Sequence, residues 1–256
     1  MILGFVAVVV AWYVLRGAAR RWAWARQTVE RLSPYTRGLH AWVLAAPATF
    51  AYIAIFTSST LLQKTAPNAL IDLLTAVQGT DLAHLGARPL TALADSALWV
   101  ADKGSGLVLY VLVFASVVAW AETRYGTPRM IVIGLCGHVF GSLLTALVEW
   151  HAIKTGRAPL ALALTTDVGV SYIMVAGCAA AVVVMRGRRR LAGAVALGAG
   201  VLLPLYVTRT LWDLGHLLAT ACGLAAALFS LAVAPPRVPP DLWPRLPSPR
   251  AGERPG

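Results

Sequence analysis

The amino-acid sequence predicts an all-α polytopic membrane protein, a bundle of six transmembrane helices that an extra N-terminal helix could accompany. Hydrophobic residues make up 58% of the 256 residues, charged residues only 13%, and the mean hydropathy is +0.70. This composition lies well outside that of an ordinary soluble domain. Six apolar stretches are long enough to cross a bilayer, and basic residues concentrate in alternate loops between them.

The six helices follow from apolar stretches of roughly 17 to 25 residues. These stretches cover 39–62, 104–121, 130–148, 169–185, 191–207 and 214–234. A seventh apolar stretch, 2–15, is shorter than a span usually needs. It is an extra helix, an uncleaved anchor or an extension from a misplaced start codon. A secretory signal is disfavoured because the positive charges follow the apolar run.

The distribution of charge predicts the orientation. If the region before the first span is cytoplasmic, the segments on that side are 16–38, 122–129, 186–190 and 235–256. They hold 16 of the 22 basic residues and four of the eleven acidic residues. This is a clear positive-inside bias. We therefore expect an integral membrane protein, in a bacterial plasma membrane, with both ends of the six-span core in the cytoplasm.

Three segments are predicted along the chain. Residues 1–38 combine the N-terminal apolar helix with an Arg-rich cytoplasmic segment, and residues 39–234 form the six-span membrane domain. Residues 235–256 are rich in Pro and Arg and are expected to be a disordered cytoplasmic tail. The external loop 63–103 keeps apolar content, so we expect it to form short helices against the membrane surface.

Several classes of function are disfavoured. The net charge of +11 does not indicate nucleic-acid binding, because the arginines lie at span ends, where topology places them and where they can meet anionic headgroups. Cys136, Cys178 and Cys222 lie in apolar runs without CxxC spacing, so no disulfide or zinc site is predicted. No His-Glu-x-x-His motif or paired Asp motif occurs within the spans. We predict no metal and no cofactor.

Ser171 and His216 are the polar residues that most need an explanation. Each lies near the outer end of an inward-running span, so both lie at the same depth. An unpartnered polar group is costly in hydrocarbon, and an imidazole is the commonest base that activates a serine hydroxyl. Gly169 and Gly223 are small residues of the kind that let membrane helices approach closely. The alternative is that Ser171 bonds a carbonyl one turn earlier and that His216 meets water or a headgroup.

Two aspartates accompany this pair. Asp167 precedes Ser171 by four residues and Asp213 precedes His216 by three, so each shares a helical face with its neighbour. Asp213 either orients His216, as the third member of a catalytic triad does, or caps its helix, and the two roles are compatible. Capping is the favoured role for Asp167.

The remaining polar residues of the spans are assigned simpler roles. Glu149 and His151 end the third span on its outer side and are expected to be interfacial. His138 lies in the middle of that span, and we expect it to bond a neighbouring helix.

These features resemble the rhomboid intramembrane serine proteases. That family has six spans with both ends inside, a Gly-x-Ser-Gly motif at the outer end of the fourth span and a His followed by small residues in the sixth. Here Gly169-Val170-Ser171 lies in the fourth span, and His216, with Gly223 seven residues later, lies in the sixth. The segment Ala121–Gly126 is similar to the family's Glu-x-Arg-x-Gly turn. The resemblance covers about residues 39–234.

The sequence also departs from the family's pattern. Tyr172 stands where the motif has its second glycine, and its bulk could narrow the approach to Ser171. The His and Asn that help to hold the oxyanion in the family correspond to Gly106 and Tyr110, so only the Tyr110 hydroxyl and backbone N–H groups remain for that role. The family's Trp-Arg pair in the external loop is reduced to Ala87-Arg88.

The resemblance implies one of two functions. The first is a rhomboid-like serine protease that cleaves a transmembrane protein substrate near the outer face with a Ser171/His216 dyad. Six further residues are expected to support this dyad: Gly169, Tyr172, Asp167, Asp213, Tyr110 and Gly223. The alternative is an inactive rhomboid-like pseudoprotease that binds transmembrane clients. The intact Ser/His pair favours the first, and the departures favour the second.

Overall fold

A computed structural model describes residues 2–67, 69–71, 73–74, 79–100, 104–165 and 167–238. Helices make up 83% of the structure, and the described residues contain no β-strand. An isolated antiparallel backbone bridge pairs Thr80 with Asp167. The all-α class predicted from the sequence is confirmed. The predicted disordered tail falls almost entirely on residues 239–256, which lie outside the described residues.

The chain forms two compact units, and the second begins at Ala46. The first unit contains α1 (Ile2–Ala18) and α2 (Ala23–Ala45), so the N-terminal apolar stretch is helical. The second unit contains the helices of the bundle and of its long loop. They are α3 (Pro47–Thr65), α4 (Leu82–Ala87), α5 (Pro89–Ser96), α6 (Leu107–Tyr125), α7 (Thr127–Lys154), α8 (Val170–Val184), α9 (Gly187–Val207) and α10 (Leu211–Val233).

Four of these helices, α6, α7, α9 and α10, are individually long and apolar enough to cross a membrane. Counting α2 and α3 together as one span gives a fifth. Helix α8 is apolar but has only 15 residues, of which nine are buried. Helix α8 therefore packs mainly against other parts of the protein.

The first predicted span, 39–62, differs most from the structure. It is divided between α2, which ends at Ala45, and α3, which begins at Pro47. Proline lacks an N–H group and disfavours the α conformation in the residue before it. Ala46 accordingly has φ −135° and ψ 57°. The prolyl residue therefore starts a new helix inside a stretch that hydropathy alone treats as continuous.

Glu122 fixes the start of α3 against the junction between α6 and α7. Its carboxylate is fully buried and accepts hydrogen bonds from the N–H groups of Ala48 (3.1 Å) and Thr49 (2.8 Å). It also accepts the hydroxyls of Thr49 (2.6 Å) and Thr127 (2.7 Å). Since the first N–H groups of a helix have no partner within the helix, this buried acid caps α3 from a distance in sequence of more than seventy residues.

Small residues allow α7, α8 and α10 to pack closely at the centre of the bundle. A methyl group built on Gly141 of α7 would lie 2.9 Å from Cα of Ala219 on α10. A methyl group built on Gly223 of α10 would lie 2.5 Å from Cα of Ala176 on α8. These distances are shorter than van der Waals contact, so the glycines are what allow the backbones to approach.

Candidate functional site

The predicted site residues lie where α8 and α10 begin and where α7 ends; this end of the bundle is called the Ser171 end below. Ser171 is the second residue of α8, and its side chain is buried, with 8% exposed. His216 is in the second turn of α10 and is partly buried. Both residues therefore lie near the N-termini of two packed helices at the same end of the bundle.

The structure does not join Ser171 to His216 by a hydrogen bond. Among the described residues, neither side chain has a hydrogen-bond partner, although the His216 carbonyl accepts the Thr220 hydroxyl (2.7 Å). The predicted dyad therefore remains a prediction. Catalytic hydrogen bonds are often long in the absence of substrate and shorten when it binds.

Tyr172 occupies the space beside His216. Its side chain is fully buried, and its ring packs edge-to-face on His216 with 5.4 Å between centroids. On another side it faces His138 of α7 at 6.4 Å. A methyl group built on Gly215 would lie 1.4 Å from the Tyr172 hydroxyl oxygen, so the glycine before His216 makes room for the tyrosine. Tyr172 thus links α7, α8 and α10 in an edge-to-face aromatic cluster.

Asp167 holds the hydroxyl of Tyr172. The Tyr172 hydroxyl donates to one carboxylate oxygen of Asp167, and the N–H of Val168 donates to the other (2.7 Å). A capping carboxylate would accept N–H groups from the first turn of α8, whereas the donors to Asp167 are the Tyr172 hydroxyl and the Val168 N–H. The N-cap residue of α8, Gly169, makes no side-chain capping hydrogen bond. Burial raises the pKa of Asp167 to about 6, and the hydrogen bonds from Tyr172 and Val168 oppose that rise.

Asp213 forms a capping box at the start of α10. Its carboxylate accepts the N–H of Thr210 (2.8 Å) and the hydroxyls of Thr208 and Thr210, and its own N–H donates to the Thr210 hydroxyl (3.3 Å). All the hydrogen bonds of this carboxylate therefore serve the helix start. Its negative charge still lies three residues from His216, so the cap and an electrostatic influence on the imidazole coexist.

The long loop packs on the Ser171 end through α5. The N–H of Gly169 donates to the Ser96 carbonyl (2.8 Å), and the backbones of Thr80 and Asp167 exchange two hydrogen bonds of 2.9 Å. Short helices in this loop agree with the expectation from sequence, and Arg88 lies at the junction of α4 and α5. The loop therefore positions the residues that lead into Ser171.

His138 contacts both the long external loop and the residues that lead into Ser171, which the sequence did not indicate. It is 1% exposed, and its Nε2 lies 2.8 Å from the Leu93 carbonyl and 3.4 Å from the Ser96 hydroxyl. Because a carbonyl only accepts, Nε2 carries the proton. Its Nδ1 has no partner among the described residues. A methyl group built on Gly169 would lie 2.1 Å from Cε1 of His138, which explains the glycine at that position.

Glu149 is buried, whereas an interfacial position was expected. It is 4% exposed, one carboxylate oxygen has no hydrogen-bond partner within the described ranges, and it lies in electrostatic range of Asp81 and Asp167. A signal for this was present in the sequence. The polar and small residues of α7 recur at helical spacing and form one buried face: His138, Gly141, Ser142, Thr145 and Glu149.

The other two predicted supporting residues, Tyr110 and Gly223, pack inside the bundle. Tyr110 of α6 lies beside Gly106, where a methyl group would lie 3.1 Å from the tyrosine ring, and it packs against the apolar core around Phe56 and Val170. Gly223 lies deeper in the bundle, against Ala176. In the described part of the chain, no group of three or more His, Cys, Asp or Glu side chains is arranged to hold a metal ion.

These features define a class: a polytopic helical membrane protein with polar side chains buried at one end of three closely packed helices. Residues 41–234 match the sequence profile described as rhomboid-like protein. The chain therefore belongs to the rhomboid-like protein family, and the predicted relationship is confirmed. No curated protein and no solved structure shows a significant match to the chain.

Proposed function

We propose that this rhomboid-like protein is an intramembrane serine protease that uses Ser171 as nucleophile and His216 as general base. The observation that carries the proposal is the placement of both residues near the N-termini of α8 and α10, two helices in direct contact. The substrate is a transmembrane protein whose chain is extended near the Ser171 end, which the charge pattern assigns to the outer face.

The chemistry follows from the positions of these groups. The Ser171 hydroxyl attacks a peptide carbonyl while His216 takes its proton, and the same imidazole then returns the proton to the leaving amine. Water hydrolyses the acyl-enzyme by the reverse sequence of proton transfers. Asp213 places negative charge near His216 and favours the imidazolium that forms in each step.

The start of α8 supplies donors for the oxyanion. The first hydrogen bond across the start of α8 runs from the Ile173 N–H to the Gly169 carbonyl (3.1 Å). The N–H groups of Val170, Ser171 and Tyr172 precede it and point toward the helix start, where the helix dipole is positive. Backbone donors of this kind substitute for the side chain that is absent at Gly106.

A second candidate function is a pseudoprotease that binds transmembrane clients without cleaving them. The fully buried Tyr172 favours it, because the tyrosine ring packs on His216 and its hydroxyl is tied to Asp167. In this case the Ser171 end is a rigid polar cluster in which Ser171 and His216 never meet.

Labelling with a fluorophosphonate probe distinguishes the two functions. The protease should be labelled in detergent, and Ser171→Ala and His216→Ala should each abolish the labelling. Ser142→Ala is the matched control, because Ser142 is also a buried membrane serine, 5% exposed, on α7. Labelling that is absent from the folded wild type, or that persists in Ser171→Ala, would refute the protease and leave the client-binding function.

A further inference from the structure

A second feature lies at the opposite end of the bundle, in a groove between α7 and α10. The groove has a volume of about 640 Å³ and an almost entirely apolar lining. Helix α7 contributes Val132, Cys136 and Phe140, and α10 contributes Cys222, Ala225 and Phe229. It is separate from the Ser171 end, and the proposed protease does not use it.

The shape of the groove follows from the packing of its two helices. They are in close contact at Gly141 and Ala219, and the groove extends from Phe140, next to that contact, to the start of α7. From Phe140 to Arg129 the rise of an α-helix gives a length of about 17 Å. One leaflet of a bilayer has an apolar thickness of about 15 Å, so the groove is as long as one leaflet is deep.

Arg129 closes the groove at its polar end. Its guanidinium donates to three neutral carbonyls, those of Tyr125, Ala234 (2.8 Å) and Pro235 (3.3 Å). A guanidinium has five N–H groups, so two remain available. The side chain is thus held at the groove mouth with its full positive charge.

Arg237 adds a second cation beside the turn that precedes α7. Its guanidinium lies against Gly126, whose added methyl would be 2.3 Å from the Arg237 Cζ, directly before the N-terminus of α7. The nearby carboxylate of Glu122 is fully buried and engaged by Ala48, Thr49 and Thr127. No ion pair links either arginine to a carboxylate within the described residues. The start of α7, where the groove ends at Arg129, therefore carries two positive charges without an ion-pair partner among the described residues and the positive end of a long helix.

We infer that this groove binds an anionic glycerophospholipid. One acyl chain lies between α7 and α10, and the phosphate accepts hydrogen bonds from Arg129 and Arg237 at the start of α7. The apolar groove is as long as one leaflet is deep and ends near two guanidinium groups that have no ion-pair partner in the described part of the chain. It matches a lipid with a negatively charged headgroup better than a zwitterionic lipid, because the choline or ethanolamine cation would face the same arginines.

Native mass spectrometry of the full-length protein in detergent tests this inference. The probes are phosphatidylglycerol and phosphatidylcholine with identical acyl chains. We expect phosphatidylglycerol to bind at least about fivefold more tightly, the effect of roughly one basic residue near an anionic headgroup. The double variant Arg129→Gln/Arg237→Gln should lose this preference, and Arg129→Lys should retain most of it.

Matched variants separate the groove from general surface charge. Arg188→Gln/Arg189→Gln removes two exposed arginines at the start of α9, outside the groove, and should leave the preference unchanged. Ala225→Phe should fill the groove and weaken binding of both lipids, whereas Ala221→Phe, at an exposed position of α10 outside the groove, should not. Equal binding of the two lipids by the wild type, or an equal loss in the α9 double variant, would overturn the inference.

Discussion

The contact between Gly223 of α10 and the backbone of Ala176 on α8 gives a sharp test of the packing. In Gly223→Ala the new methyl group would lie 2.5 Å from Cα and 3.0 Å from the carbonyl oxygen of Ala176. Ordinary contact requires at least 3.4 Å, so α8 and α10 must separate by about 1 Å. No change of rotamer relieves this clash, because both obstructing atoms belong to the backbone. Overpacking costs about 1–3 kcal/mol, and the better helix propensity of alanine returns up to about 1 kcal/mol. With this gain taken as about 0.5 kcal/mol, the expected net loss is about 0.5–2.5 kcal/mol.

Unfolding by SDS in mixed micelles, followed by circular dichroism, measures this loss. Gly198→Ala on α9 is the matched control, because a methyl group built there meets no atom within 4 Å. It should stabilise the protein by up to about 1 kcal/mol through helix propensity alone. The two variants therefore make the same chemical change with opposite expected signs. If Gly223→Ala is as stable as Gly198→Ala, the close contact of α8 with α10 is refuted.

Three further predictions concern the polar residues. Glu122→Gln should destabilise the protein by about 2–3 kcal/mol in the same SDS assay, since a buried carboxylate with four donors becomes an amide, while Glu30→Gln at an exposed position should have no effect. Gly169→Ala should displace the His138 ring and cost about 1–3 kcal/mol, whereas Gly86→Ala, with open space around it, should not; equal stability of the two would contradict the His138 packing. The pKa of Asp167 rises from 3.8 to about 6 on folding, so the folded state holds a proton that the unfolded state releases, and stability should fall as the pH rises from about 4 to about 6. Asp167→Asn should remove this fall from the pH dependence of the SDS midpoint, and an unchanged slope would show that another group titrates.

Hydropathy and charge were sufficient to predict the fold class, because this class depends on composition averaged over whole spans. The helices α6, α7, α9 and α10 lie on predicted stretches with shifts of a few residues at their ends. The break at Pro47 was missed because an apolar window ignores a single residue that cannot donate a hydrogen bond. The cap that makes this break stable, Glu122, comes from a distant turn, and no local pattern near Pro47 reveals it.

The site was predicted less completely, for a related reason. Sequence spacing predicted Ser171 and His216 at the same depth in the membrane. Depth alone does not determine toward which neighbouring helix a side chain points. The direction of Tyr172 depends on Gly215, which lies in a different helix and leaves the space that the tyrosine fills. The burial of Glu149 was predictable from the helical repeat of polar residues along α7, whereas its neighbours Asp81 and Asp167 depend on the path of the long loop.

Tyr172 is the residue on which the choice between the two functions depends. Its ring stands against the imidazole of His216, and its hydroxyl is held by an acid that burial makes easier to protonate. Protonation of Asp167 would weaken the charge-assisted hydrogen bond that fixes the tyrosine. In a protease, release of this bond would allow the ring to turn and His216 to reach Ser171, so fluorophosphonate labelling should rise as the pH is lowered toward 6. In Tyr172→Phe, which keeps the ring and lacks the hydroxyl, labelling should be higher and should lose the Asp167-dependent rise. If Tyr172→Phe is folded and no more reactive than the wild type, the tyrosine does not restrain a catalytic pair.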